Sequence, residues 1–444
     1  MGTLPKPATA RGVPDRTSTT KSLLSALLLS LPFLALLVHC AHREYDNGRL
    51  SASFTQDLEP LISAEGPAPA ALLFIASHGG YVKTLRLVQG SGTAVSLRVE
   101  PVAFTDGCVG NPSWLTIDRF NSVLYCVDQG MAAQSEGSLS SFSIVEDGIL
   151  ARLNTVRTVA GPVSVAVYGK HGKGLAITHH GGSALSTWDI QDPSSIPPIQ
   201  TRLKMEQPGS GRPREEVPYL RTVTDPTGQF VLVPDVGADI VRIYAVSDHD
   251  LNLSERTPFV VAPGGGPRNL AFAKQKKKTF MYIFMDHSNT IVGYEVTYDD
   301  NDIFFDEVWA SGHGKGGNMR TDDAAAEMVV SPDSNFLILT SRSDATTKIP
   351  NLDPDNSTDI ASDRLSNFAI DPQTGSLELL QEVPCGGLLP GQISINEAGT
   401  LVAVALQNDG RVVVVDRDAE TGELGGIVAH ADMEEELTAI IFSD

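Results

Sequence analysis

One short plan is written again and again along this chain, and a chain built that way has few folds open to it. Its clearest copy is residues 225–246, DPTGQFVLVPDVGADIVRIYAV. The segment opens on turn chemistry, because Pro226 presets φ and Gly228 accepts a positive φ. Residues 230–233 form a short apolar run, the pattern of a strand buried on both faces. Residues 235–239 turn the chain, and residues 240–246 then alternate apolar positions with Arg242 and Tyr244.

Related copies are anchored at Pro112, Pro162, Pro218, Pro267, Ala326 and Pro390, in steps of 50, 56, 49, 59 and 64 residues. A period of that size, at four short strands per unit, is the signature of propeller blades. Six anchors leave one blade over. Residues 437–443 supply a last strand to pair beside the first strand near Leu72, so both chain ends build a seventh blade. Closing the ring in this way removes the open sheet edges. The expected fold is therefore all-β: a seven-bladed β-propeller over residues 71–444.

The N-terminus is a different material. A polar, basic stretch precedes an apolar run of 16 residues, 23–38. A spanning helix needs about 20 residues, so the run resembles a secretory signal more than a membrane span. Residues 1–40 read as a cleavable signal peptide or an uncleaved anchor, residues 41–70 as a linker, and the propeller as a product of the secretory pathway, extracellular or at the cell surface. Membrane contact is expected only through that anchor. In an oxidising compartment Cys108 and Cys126 are expected to form a disulfide, and Cys385 is left as a buried thiol. Asn252 and Asn356 open glycosylation tripeptides. The formal net charge of -21 speaks against nucleic acid as a partner. No metal-ligand cluster, Walker motif or GxSxG elbow is visible, so no metal or cofactor is expected.

Several motifs carry a resemblance: Asn-Pro-Ser-Trp-Leu at 111–115, the central DPTG hairpin, Gly-Gly-Pro-Arg at 265–268, Ala-Ala-Glu-Met at 325–328 and Ser-Ile-Asn at 394–396. In order and spacing they resemble the seven-bladed lactonase family, which includes propeller-type 6-phosphogluconolactonases and fungal 3-carboxy-cis,cis-muconate lactonising enzymes. The resemblance implies Arg268 and Arg342 as binders of an anionic substrate, at equivalent ends of inner strands in successive blades. It implies Glu327 and Asp286 as the acid/base carboxylates, Asp286 standing where the family has a glutamate.

Three departures stand out. Family histidines before DPTG are replaced by Pro218-Tyr219-Leu220-Arg221, the histidine after Gly-Pro-Arg is Asn269, and an arginine after Pro390 is Gly391. Leucine cannot move a proton, so His78, His179, His180, His287 and His313 are the candidate substitutes. Trp114 reads as a blade-core aromatic and Lys276-Lys277-Lys278 as a solvated hairpin tip. Three functions follow: a lactonase or muconate-type cycloisomerase acting on a small anionic substrate, a catalytically silent propeller binding an anion, glycan or protein, and a surface glycoprotein without a ligand. Nothing in the sequence fixes an oligomeric state.

Overall fold

The structure is a computed structural model that describes residues 71–89, 97–108, 110–130, 136–180, 184–204, 221–299, 302–312, 324–342, 345 and 347–444. The expected leader and linker lie outside the described residues, as do Pro218, Tyr219, Leu220 and His313.

Apolar runs such as residues 230–233 cannot be half-exposed strands, and each becomes the second strand of a sheet covered on both faces. Seven such sheets form in chain order, each mostly of four antiparallel strands. Blade 2 begins with Pro112–Asp118 and Val123–Asp128, blade 3 with Pro162–Tyr168 and Gly174–His179, and blade 4 with Val223–Thr224 and Phe230–Asp235. Blade 5 begins with Pro267–Lys274 and Thr279–Met285, blade 6 with Ala324–Val330 and Phe336–Arg342, and blade 7 with Pro390–Ile395 and Leu401–Leu406. Blade 6 also carries an inserted hairpin, Thr347–Ile349 with Ile360–Ser362.

Blade 1 is made from both ends of the described chain. Leu437–Phe442 is its innermost strand and pairs antiparallel with Ala71–Ser77, in the register Leu73 with Phe442, Phe74 with Ile441 and Ile75 with Ile440. The expected closure is therefore present, and no innermost strand of the ring is left without a neighbour.

The core is distributed rather than central. Seven apolar clusters fill the seven spaces between neighbouring blades, for example Leu73, Leu85, Ala403, Val414 and Phe442 between blades 1 and 7, and Leu232, Ile243, Met281 and Ile283 between blades 4 and 5. Second strands lie deepest, and every residue of Val123–Asp128, Phe230–Asp235 and Leu401–Leu406 is buried. That explains their unbroken apolar runs, since a sheet packed on both faces has no polar side to alternate with.

Turn side chains hold each blade to this plan. Asp225 Oδ1 accepts from the Phe230 backbone N–H at 2.7 Å, and Asp225 Oδ2 accepts from the Thr227 N–H at 2.9 Å. Gly228 has φ 71°, and a Cβ there would stand 3.1 Å from the Gly169 carbonyl of the preceding blade. Asn396 repeats the device in blade 7, its Oδ1 accepting from the Thr400 and Leu401 N–H groups, each at 2.8 Å.

Two polar features lie inside the blades. Cys108 and Cys126 are disulfide-bonded with Cα atoms 6.2 Å apart, and Cys385 is a buried free thiol. Arg242, on the strand whose sequence alternates, is buried, and its Nε and Nη2 donate to Asp235 Oδ2 at 3.1 and 2.9 Å. Of the lysine triplet, Lys276 and Lys277 are exposed at the hairpin tip, whereas Lys278 Nζ donates to Glu295 at 2.7 Å. Asn356 is exposed on the blade-6 insertion, and half-buried Asn252 donates through Nδ2 to Asp250.

Candidate active site at the mouth of the central channel

Residues of all seven innermost strands, among them Thr116, Ala166, Val223, Ala271, Val329, Gln392 and Ile441, surround an axial channel of about 560 Å³. Its wall is largely apolar. Chemistry gathers at one end, where each innermost strand begins.

In six blades one ring of positions lies four residues before a buried residue at or next to the end of the innermost strand (Asp118, Tyr168, Asp225, Ala273, Ser331 and Asn396). It contains Trp114, Ser164, Arg221, Asn269, Glu327 and Gln392. The pairing of Ala439 with Ala76 puts Ala439 at the same level in blade 1. Three of these side chains meet across the axis. Arg221 Nη1 of blade 4 donates to both carboxylate oxygens of Glu327 in blade 6, and the Arg221 guanidinium lies 4.3 Å from the ring centroid of Trp114 in blade 2. Contacts among three non-adjacent blades can form only near the axis, so this group spans the mouth.

Glu327 is 12% exposed and Arg221 20% exposed. Burial pushes the Glu327 carboxyl up from its ordinary pKa, and this outweighs the opposing pull of Arg221, Arg268 and Arg342. Three guanidinium groups thus act on one carboxyl group in a largely water-excluded place. Such a cluster can hold an anion and move a proton.

A second ring lies above the first, where the second strands end. The backbone N–H groups of His78, Gln129, His180, Asp286 and Gln407 each donate to the carbonyl just before an innermost strand or one position above it, at 2.7–3.0 Å. Arg342, opposite Ala324, holds the corresponding place in blade 6. Here the structure corrects one expectation. Arg268 and Arg342 belong to successive blades, but Arg268 is on an innermost strand and Arg342 ends a second strand, where its equivalent is Asp286. Arg268 Nη1 donates to Asp286 Oδ1 at 3.3 Å within blade 5. Arg342 Nη2 donates to Gln407 Oε1 at 3.0 Å, Gln407 Nε2 to Glu436 at 3.4 Å, and Glu436 meets His78 Nδ1 at 2.9 Å. A polar arc therefore runs along the rim from blade 6 to blade 1.

Two side chains at this mouth were not anticipated as functional. Trp114 is half-buried at the channel mouth beneath Arg221 and is not confined to a blade core. Arg221 stands in the segment where a histidine was expected and supplies a cation instead. Gly391 cannot be replaced by the family arginine in this backbone, because even a Cβ there would lie 2.9 Å from the Thr438 carbonyl. Of the histidines, His179 is structural: Nδ1 donates to the Val159 carbonyl at 3.0 Å, and Nε2 accepts from Ser186 Oγ at 2.7 Å. His180 stands at the rim by its backbone, and burial lowers its pKa. Among the described residues no three His, Cys, Asp or Glu side chains form a metal-ligating cluster.

Known proteins share this architecture. The family model "Lactonase, 7-bladed beta-propeller" matches residues 77–441. A protein of Arthroderma benhamiae named probable 6-phosphogluconolactonase is 27% identical over 375 residues, covering 84% of this chain and 88% of its own. The 6-phosphogluconolactonase of Bacillus subtilis is 23% identical over 322 residues, covering 71% and 83%. Among solved structures, a periplasmic gluconolactonase of Pseudomonas aeruginosa superposes with a TM-score of 0.68 at 20% identity, over 84% of this chain and 98% of its own, a likeness of fold. These relatives support a lactonase function. The chain is a member of the seven-bladed β-propeller lactonase family.

Proposed function

We propose that this protein hydrolyses the lactone of an anionic or polyhydroxylated sugar acid at the channel mouth. One observation carries the reading: a mostly buried carboxyl group, Glu327, is held by Arg221 and sensed by Arg268 and Arg342. The oxygens of an incoming substrate compete with Glu327 for Arg221, because guanidinium N–H groups donate to any well-placed acceptor, a charged one most strongly. Released from its partner in a largely dry site, Glu327 becomes a stronger base. It takes a proton from water as the water attacks the lactone carbonyl, and it returns that proton to the ring oxygen as the ring opens. Arg268 and Arg342 donate to substrate hydroxyl oxygens and hold the carboxylate of the product as it forms. Asp286, paired with Arg268 at 3.3 Å, keeps that guanidinium oriented while the site is empty.

The N-terminal leader supports a place outside the cytosol and therefore an unphosphorylated aldonolactone such as gluconolactone. Binding of a small anion without turnover is the second reading, favoured by the replacement of the histidines before DPTG. Incubating the purified chain with gluconolactone and with carboxymuconate, and following ring opening or closure, separates the readings. Turnover of gluconolactone supports the first. Turnover of carboxymuconate alone redirects it, and binding of gluconate without turnover of either substrate supports the second.

A further inference from the structure

Asn269 occupies the ring of Trp114, Arg221 and Glu327, in the blade next to Glu327. It is 2% exposed, and neither its Oδ1 nor its Nδ2 has a hydrogen-bond partner within the protein. Buried amides are nearly always satisfied, and one with both ends idle is costly unless something else engages it. Packing alone does not account for an amide here: an apolar side chain at that position would carry no idle groups. Gln392, on the other side of Glu327 in the ring, is half-engaged in a similar way. Its Nε2 donates to the Leu115 carbonyl at 3.2 Å, and its Oε1 has no partner. Glu327 is therefore flanked by one idle donor and two idle acceptors.

We infer that Asn269 is a catalytic hydrogen-bond donor of this site, its Nδ2–H serving the lactone carbonyl oxygen as that oxygen becomes an oxyanion. The assignment rests on the lactonase reading above. Water oxygen bonds to the carbonyl carbon while Glu327 takes its proton, and the carbonyl π pair moves onto oxygen. That oxyanion is an acceptor that the protein itself does not give Nδ2. When the tetrahedral centre collapses, the ring C–O bond breaks and the proton on Glu327 passes to the ring oxygen, giving a hydroxy acid. Gln392 Oε1 and Asn269 Oδ1 accept from substrate hydroxyl groups, which both donate and accept. The Arg221–Glu327 pair spans the ring at this level, so exchange of Arg221 onto the substrate is what opens a way to the amide. A donor fixed in a dry site acts on the charge that develops in the transition state, and its loss appears mainly in kcat.

The test is steady-state hydrolysis of gluconolactone by the purified chain and three variants. Asn269→Ala should lower kcat by about 100- to 1,000-fold with little change in KM, as for loss of one oxyanion donor. Asn269→Asp keeps the shape but replaces the amide donor with an acceptor and should fall as far. Asn269→His restores a ring N–H and should recover at least about tenfold over the alanine variant. A kcat for Asn269→Ala within about threefold of the parent, or an active Asn269→Asp, overturns the inference and leaves the lactonase reading standing. A parent that hydrolyses no lactone overturns both. Should the alanine variant fail to fold, the isosteric aspartate variant decides, its folded state checked by an unchanged thermal midpoint.

Discussion

Two arginine–carboxylate pairs in this molecule share chemistry and differ in almost everything else. Arg242 and Asp235 lie seven residues apart on one hairpin of blade 4, with side chains 3% and 0% exposed. Arg221 and Glu327 are 106 residues apart, reach toward each other from blades 4 and 6, and are 20% and 12% exposed at the open end of the channel. The first pair is enclosed by its own sheet and by the neighbouring blades, so no outside group can exchange for either member. The second can be entered from one side by anything that carries a carboxylate or phosphate. The difference teaches that an ion pair becomes a functional element when its partner is replaceable, and access to the pair decides that.

The largest effect should come from breaking the enclosed pair. Asp235→Ala leaves a buried guanidinium without its main counter-ion and should cost about 3–5 kcal/mol of unfolding free energy. Glu327→Ala should cost less than that, because Arg221 stands at the open end of the channel and its guanidinium can turn outward to solvent. Chemical denaturation of both variants beside the parent measures this. Equal losses would erase the distinction between the pairs.

Next in size is binding. Arg268→Ala and Arg342→Ala should each weaken gluconate binding by about 1.5–3 kcal/mol, the range of a hydrogen bond to a charged group. Isothermal calorimetry at fixed ionic strength reads it. Arg268→Ala also strands Asp286 at the rim, so Arg268→Ala together with Asp286→Ala should bind no worse than Arg268→Ala alone. Unchanged binding in both single variants would remove the anion from the mouth and leave the Arg221–Glu327 pair as structural as the other.

The propeller was legible in sequence because its second strands are buried on both faces. Residues 230–233 or 401–406 have to be written in apolar letters, and the turns before them need Asp, Pro, Asn or Gly for the bonds made by Asp225 and Asn396. The buried Arg242 was harder, because an arginine in an alternating strand reads as a solvent-facing residue until Asp235 is known to lie beneath it. Glu327, Arg268 and Arg342 came from the family motifs. Arg221 and Trp114 were missed for a geometric reason: the axis unites them with Glu327 from separate blades, and no local motif spans 106 residues. A signal did exist. Trp114, Arg221, Asn269, Glu327 and Gln392 all lie four residues before a buried residue at or next to the end of an innermost strand, so stacking the repeats on that residue would have shown the ring.

The smallest effect concerns the proton on Glu327, and its sign separates the two pairs most finely. Burial sets the Glu327 pKa above its ordinary value of 4.5, with Arg221, Arg268 and Arg342 pulling the other way. A raised native pKa means that the folded protein binds this proton more tightly than the unfolded chain. Its stabilising contribution is fully present below the unfolded value and disappears as pH rises through the folded one. Glu327→Gln resembles the protonated form at every pH. Parent and variant should therefore be about equally stable at low pH, and the variant should become the more stable as pH rises to neutrality. The gain should be on the order of 1 kcal/mol for every tenfold by which folding strengthens proton binding at this carboxyl. Thermal denaturation of both proteins across that range reads the difference. If the parent is instead the more stable at neutral pH and loses that advantage in acid, the arginines win over burial. Glu327 would then be a settled counter-ion of the kind Asp235 is, with no raised proton affinity for catalysis to use.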